Sequence, residues 1–129
     1  MDKIIKRQER ISIMEILYLY DINDNYVCLR QSDDYSEFVT EIVNYVCLHK
    51  EEIDDIITKS LTNYRLSRLS VVDRSLVRMG VAELKMATPK AIVINEILEI
   101  AKEYSDEGDG KAVRFLNKLL DNVTKTMGK

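Results

Sequence analysis

Lys3, Lys6, Arg7 and Arg10 recur at steps of one, three and four near the start of the chain. At about 100° per residue on an α-helix they fall within an arc of roughly 100°, and Tyr18 lies about 20° beyond Arg7 on the same side. Cations that can follow a phosphate backbone, leading to a ring on which a base can stack, supply what single-stranded RNA recognition requires. The same arrangement also describes a solvated charged face with Tyr18 in the core, a pattern common on soluble domains. Lys111, Arg114 and Lys118 repeat the theme at i, i+3 and i+7, with Phe115 beside them, and carry the same two readings. Arg65, Arg68, Arg74 and Arg78 make a further basic group, in which Arg74 and Arg78 share a helix face and Asp73 precedes them. An acid at a helix start is first an electrostatic partner of the helix dipole and second a contact for another protein.

Other chemistries lack their residues. His49 is the only histidine and no Cys-x-x-Cys spacing occurs, so no ligand set for zinc or another transition metal is expected. Cys28 and Cys47 each sit in a Tyr-Val-Cys-Leu run, where a thiol reads as a small buried hydrophobe. With 4 glycines and 1 proline there is no Gly-rich phosphate loop and no βα unit to carry a nucleotide cofactor. An enzyme is therefore not expected, nor is any cofactor. The first ten residues carry charges throughout and no continuous apolar run, which argues against a signal peptide or a membrane span and for a cytoplasmic protein.

The elements that must position these residues are helical. A chain of 129 residues, 46% hydrophobic and 32% charged, has room for one domain spanning residues 1–129 around one core. Ile4, Ile11, Met14, Leu17 and Tyr18 have helical spacing and predict a helix over about 3–21, ended by the Asn/Asp cluster at 21–25. Residues 26–30 could form a short extra helix. Ser32, Asp33 and Asp34 are N-cap candidates for a second helix carrying Phe38, Val39, Ile42, Val43, Val46 and Cys47. A third is predicted over about 50–63, with acids in its first turns. Ser70-Val-Val-Asp73 is a capping pattern that starts a fourth helix, running to about Met86, and Thr88-Pro89 breaks it. Helix resumes over 92–104, and after Gly108-Asp-Gly110 a last helix carries Val113, Leu116, Leu119, Leu120 and Val123. Six helices with short connections predict an all-α, bundle-like domain.

A net charge of −3 argues at first against a nucleic-acid partner. Charge is segmental, however: −6 over residues 31–60 and −4 over 91–107, against +4 over 61–90 and +3 over 108–129. An acidic protein of this kind can still present a basic face, and the local potential guides an anionic ligand.

The longer motifs resemble a known family. Arg68-Leu-Ser-Val-Val-Asp-Arg-Ser-Leu-Val-Arg-Met-Gly-Val-Ala-Glu-Leu84, then Pro89, Ile92-Val-Ile-Asn-Glu-Ile-Leu-Glu-Ile-Ala-Lys102 and Tyr104-Ser-Asp-Glu107, are similar to the NusB transcription antitermination family. Arg7 to Tyr18 with Asp21, and Phe115-Leu-Asn-Lys-Leu-Leu-Asp121, resemble that family's first and last helices. The resemblance implies an all-helical fold of about six to seven helices in two packed halves. It implies a non-enzymatic role in the transcription elongation complex, binding boxA-type nascent RNA together with NusE, a small-subunit ribosomal protein. By position it implies RNA contacts from Arg7, Arg10, Tyr18, Phe115 and Asn117, and a NusE contact from Asp73; the basic clusters add Lys6, Lys111 and Arg114. It admits a homodimer and involves no membrane. Glu15 replaces a usual Gln and Lys118 a usual Gly, about three residues are added before Phe115, and roughly ten are missing after the first helix. These departures leave a second reading, a helical adaptor that keeps the NusE surface with weak or no RNA binding.

Overall fold

The computed structural model describes residues 3–30 and 34–129. It is all-helical: α1 (Lys3–Asn23), α2 (Glu37–Leu48), α3 (Lys50–Ser60), α4 (Val71–Lys85), α5 (Lys90–Tyr104) and α6 (Lys111–Thr126), with a 3₁₀ turn at Leu66–Arg68 between α3 and α4. Among the described residues no helix is long and apolar enough to cross a membrane.

Helix ends follow local side-chain chemistry. Ser70 caps α4 as its motif predicts, its hydroxyl accepting from the Asp73 N–H at 3.1 Å. The cap of α2 is Ser36, whose hydroxyl accepts from the Val39 N–H at 3.2 Å; Asp34 lies two residues outside it, and Ser32 and Asp33 fall outside the described residues. Residues 26–30 form no helix. Helix α3 stops at Ser60 rather than Asn63, because Leu61 turns to extended backbone and Asn63 takes a positive φ of 58°. Helix α5 begins at Lys90, two residues earlier than its apolar pattern, since Pro89 at φ −56° is already set for a helix entry and supplies the first carbonyl acceptor.

Helix α4 is the joint between the halves α1–α3 and α4–α6, packing against each of the other five helices. Leu76, Val77, Met79, Val81, Ala82 and Leu84 are buried on it, which leaves it hardly any solvated face. Gly80 sits where α5 and α6 come closest: a Cβ there would stand 2.7 Å from Ile97 Cδ1 and 3.4 Å from Leu120 Cδ2. The hydrophobic cluster draws on all six helices, with Ile13 and Leu17 from α1, Ile42 and Val43 from α2 and Ile53 and Ile57 from α3 among its fully covered side chains.

Two ionic clusters set the antiparallel register of α1 on α4. Near the start of α1, Arg10 Nε and Nη2 donate to the two carboxylate oxygens of Glu83 at 2.9 and 2.7 Å, with both side chains buried. Arg7 grips Glu96 of α5 in the same two-pronged way, at 3.1 and 2.7 Å. At the other end, Asp21 accepts from Arg74 at 3.0 and 2.7 Å and from Arg78 at 2.7 Å. Arg78 reaches on to Asp54 of α3 and to the Tyr26 hydroxyl. These two clusters are separated by about 16 Å along α1 and about 14 Å along α4, at 1.5 Å per residue, so a shift of one helical turn would break both.

Removing one member of the buried pair strands a charge. Arg10→Ala is expected to lower unfolding stability by about 3–5 kcal/mol, whereas Arg10→Met combined with Glu83→Leu recovers most of the loss. Chemical denaturation of the single and double variants measures this, and a double variant no better than Arg10→Ala contradicts it. Asp21 gives a pH signature. The hydrogen bonds from Arg74, and then those from Arg78, hold its carboxyl below the ordinary value of 3.8, against the opposing effect of burial. Its stabilisation is therefore full above that ordinary value and is lost as pH falls through the lowered one. Asp21→Asn is expected to cost about 2 kcal/mol at neutral pH, with the gap to the parent closing at strongly acidic pH; a gap independent of pH rejects the assignment.

Candidate nucleic-acid interface

The cations of α1 are less free than their arc suggests. Arg10 is buried and bound to Glu83, with Glu96 also at 3.8 Å, so it is structural in this conformation and not on the solvated stripe expected of it. The reason is that its arc meets the α4–α5 seam, where Glu83 and Glu96 wait inside otherwise apolar runs. Arg7 keeps 35% of its side chain exposed while its guanidinium is held by Glu96, which, ahead of the opposing effect of burial, raises its already high pKa further. Lys6 Nζ lies 3.9 Å from the ring centre of Phe38, a cation–π contact that leaves the residue half-buried. Nothing is described of the Lys3 side chain. Tyr18 is exposed at 37%, on the surface and not in the core.

The α6 cluster is open. Lys111 has 78% of its side chain exposed, and Arg114, Asn117 and Lys118 are exposed as well. Phe115 is half-buried, and Tyr64 from the α3–α4 connection packs on it with ring centres 5.5 Å apart at 52°. Grooves run to either side of this pair. One is bordered by Arg68, Asp73 and Lys111, and the other by Thr62, Lys118 and Asn122. Asn63, Arg65 and Arg68 border a third on the outer side of Tyr64, which is itself half exposed. Two aromatic rings thus stand among four basic side chains from two stretches of chain, Arg65 and Arg68 with Lys111 and Lys118, while Arg114 turns back towards the Asp109 carbonyl.

The basic group at the start of α4 divides. Arg74 and Arg78 are spent on Asp21 and Asp54, while Arg65 and Arg68 remain on the surface. Asp73 is mostly covered: it accepts from the Ser105 hydroxyl at 2.5 Å, and burial outweighs its hydrogen bonds to hold its carboxyl above the usual range. Its remaining access is along the groove beside Lys111 and Phe115.

Neighbouring bonds place several of these residues at one end of the bundle. Arg74 ties the start of α4 to Asp21 at the end of α1, and Asp73 ties it to Ser105, where the turn into α6 begins. Tyr18 precedes Asp21 by one turn of α1. Tyr18, Asp73, Lys111 and Phe115 accordingly belong to that end, whereas Lys6, Arg7 and Arg10 lie about 12–18 Å away along α1. Sequence periodicity missed Tyr64, since residues 61–69 have no helical repeat; its position beside Arg65 and Arg68 was the available signal. Among the described residues no group of three or more His, Cys, Asp or Glu side chains could hold a metal ion.

Comparison with known proteins agrees with this architecture. A profile of the NusB family matches residues 7–125. The transcription antitermination protein NusB of Listeria monocytogenes serotype 4a is 36% identical over 124 residues, covering 92% of this chain and 94% of that protein. The Bacillus mycoides protein of the same description is 34% identical over 131 residues, covering 95% and 98%. Among solved structures, T. maritima NusB superposes with a TM-score of 0.75 at 27% identity, covering 92% of this chain and 89% of that one. A chain from the crystal structure of a plectonemic RNA supercoil superposes at 0.79, also at 27% identity, with 96% of each covered. A profile match over nearly the whole chain, together with relatives more than 30% identical along almost their full length, is membership: this chain belongs to the NusB family of transcription antitermination proteins.

Proposed function

We propose that the chain binds single-stranded boxA-type RNA in partnership with NusE within the transcription elongation complex, in the cytoplasm and as a single domain without chemistry of its own. The observation that carries the reading is the Tyr64–Phe115 pair bordered by Arg65, Arg68, Lys111 and Lys118. Aromatic faces accept bases, and flanking cations accept the phosphates on either side. Tyr18, at the same end of the bundle, and Asn117 and Arg114, on the neighbouring side of α6, are further RNA contacts in this reading, and Lys6 and Arg7 are a second, more distant phosphate contact. Arg10 contributes by holding α1 in register. Asp73 meets NusE from the groove beside Lys111. RNA held by few free cations binds weakly alone, and NusE on the same complex raises the effective concentration of the second contact.

One observation favours the adaptor reading, in which NusE is bound and RNA hardly at all: the guanidinium groups of Arg7 and Arg10 are already paired with Glu96 and Glu83. Titration of labelled boxA RNA, with and without NusE and at two salt concentrations, separates the two. Phe115→Ala, Tyr64→Ala and Tyr18→Ala are each expected to weaken RNA binding roughly 5- to 150-fold with helicity retained, from the loss of about 1–3 kcal/mol of stacking. Lys111→Ala with Lys118→Ala is expected to flatten the salt dependence by about 0.7 of a logarithmic unit per charge. RNA-independent NusE binding, with no RNA affinity in any condition, establishes the adaptor instead.

A further inference from the structure

Of the two cysteines read from sequence as buried packing groups, Cys47 packs against the core, whereas Cys28 does not. Cys28 is exposed in the connection after α1, because residues 26–30 are not helical, and Cys47 is half-buried near the end of α2. The backbone on both sides of Cys28 is anchored. The Tyr20 hydroxyl donates to the Val27 carbonyl at 2.5 Å. Asn44 holds both polar groups of Leu29, accepting from its N–H at 2.6 Å and donating to its carbonyl at 3.0 Å. Asn44 and Cys47 are one turn apart on α2, so the clamp that holds Leu29 also brings the neighbouring Cys28 to the side of α2 that carries Cys47. Nothing in the proposed RNA interface uses either cysteine.

We propose that Cys28 and Cys47 are a redox modification site, closing to an intramolecular disulfide when the protein meets a peroxide. The roles follow from exposure. Burial, followed by the neighbouring Cys28, pushes the Cys47 thiol up to about 12, so it stays protonated and slow towards oxidants. Cys28, in contact with solvent, reacts first: its sulfur attacks the peroxide O–O bond, forming a sulfenic acid and releasing one water from hydrogen peroxide. The Cys47 sulfur then attacks the Cys28 sulfur. The S–OH bond breaks, the departing hydroxide takes the Cys47 proton, and a second water leaves. Two thiols are oxidised to one disulfide and one peroxide is reduced to two waters. The bond staples the α1–α2 connection to α2 and removes freedom from the unfolded chain across residues 28–47.

The test treats the full chain with equimolar hydrogen peroxide and follows intact mass and peptide maps without reductant. The parent is expected to lose two hydrogens and yield a linked Cys28–Cys47 peptide, reversed by dithiothreitol. Its thermal midpoint should rise by roughly 5–10 °C. Cys47→Ser is expected to stop at a Cys28 sulfenic acid that dimedone traps, and Cys28→Ser to remain unoxidised at the same dose. A Cys28 that pairs only between chains, proceeds to sulfonic acid in the parent, or stays reduced overturns the proposal, as does a linked peptide with no rise in the thermal midpoint.

Discussion

The Glu83 carboxylate has no exposed surface, and a bare charge so placed costs several kcal/mol of lost hydration. It is tolerated because Arg10 meets both of its oxygens at once, a geometry that only a guanidinium provides, and because Arg10 is buried with it. That requirement is positional: the pair forms only when α1 lies antiparallel on α4 in one register. Apolar contacts between two helices are forgiving of a slip by one turn, since the ridges and grooves repeat, whereas a desolvated ion pair is not. The pair therefore adds little net stability over an apolar substitute and a great deal of selection among packings. Arg74 and Arg78 on Asp21 impose the same condition at the far end, and Arg78 on Asp54 extends it to α3.

With α1 pinned at both ends, α4 becomes the common wall of the two halves, and the crowding at Gly80 shows how closely it is pressed. A central helix buried on nearly every side has no surface to offer a ligand, so recognition falls to what its ends organise. At its N-terminus, Arg74 donates to the Ser67 and Leu69 carbonyls of the 3₁₀ connection and Asp73 accepts from Ser105 in the turn after α5, and these segments carry Tyr64 and lead into Phe115. The aromatic pair is thus mounted on segments tied to a rigid helix start, which reduces the ordering cost of any ligand that stacks there.

Most of the helices were legible because each carries an apolar repeat and a recognisable stop: Thr88-Pro89 after α4, the Gly108–Gly110 turn before α6, Ser70 at the head of α4. The misplacements have a shared cause. Helical periodicity says which side of a helix a residue occupies and not what the opposing element brings to meet it. Arg10 on its arc looked solvated because its partner lies 73 residues away, within Val81-Ala-Glu-Leu84. Glu83 and Glu96 inside apolar runs were the readable sign, since an acid on a buried face calls for a buried base. Tyr64 sits in an aperiodic connection, and its role depends on α6 arriving beside it. Cys28 looked like a core residue because its neighbours are apolar, yet it lies outside any helix beside Leu29, whose backbone Asn44 holds, and that contact has no sequence signature.

The same pairing reshapes the electrostatics. Four arginines, Arg7, Arg10, Arg74 and Arg78, are committed to internal carboxylates, so they add to the basic count without adding much to the outward field. What remains outward and basic is concentrated on the α3–α4 connection and α6, against the acidic surfaces of α2, α3 and α5. A polyanion approaching this protein is attracted to one region and repelled from others, so orientation is selected before contact. Low overall positive charge also weakens binding to arbitrary nucleic acid, since non-specific affinity rises with the number of phosphates neutralised. The net charge of −3 is on this view a feature of selectivity: the interior consumes cations to fix the fold, and the few left outside act where the aromatic rings can read what they attract.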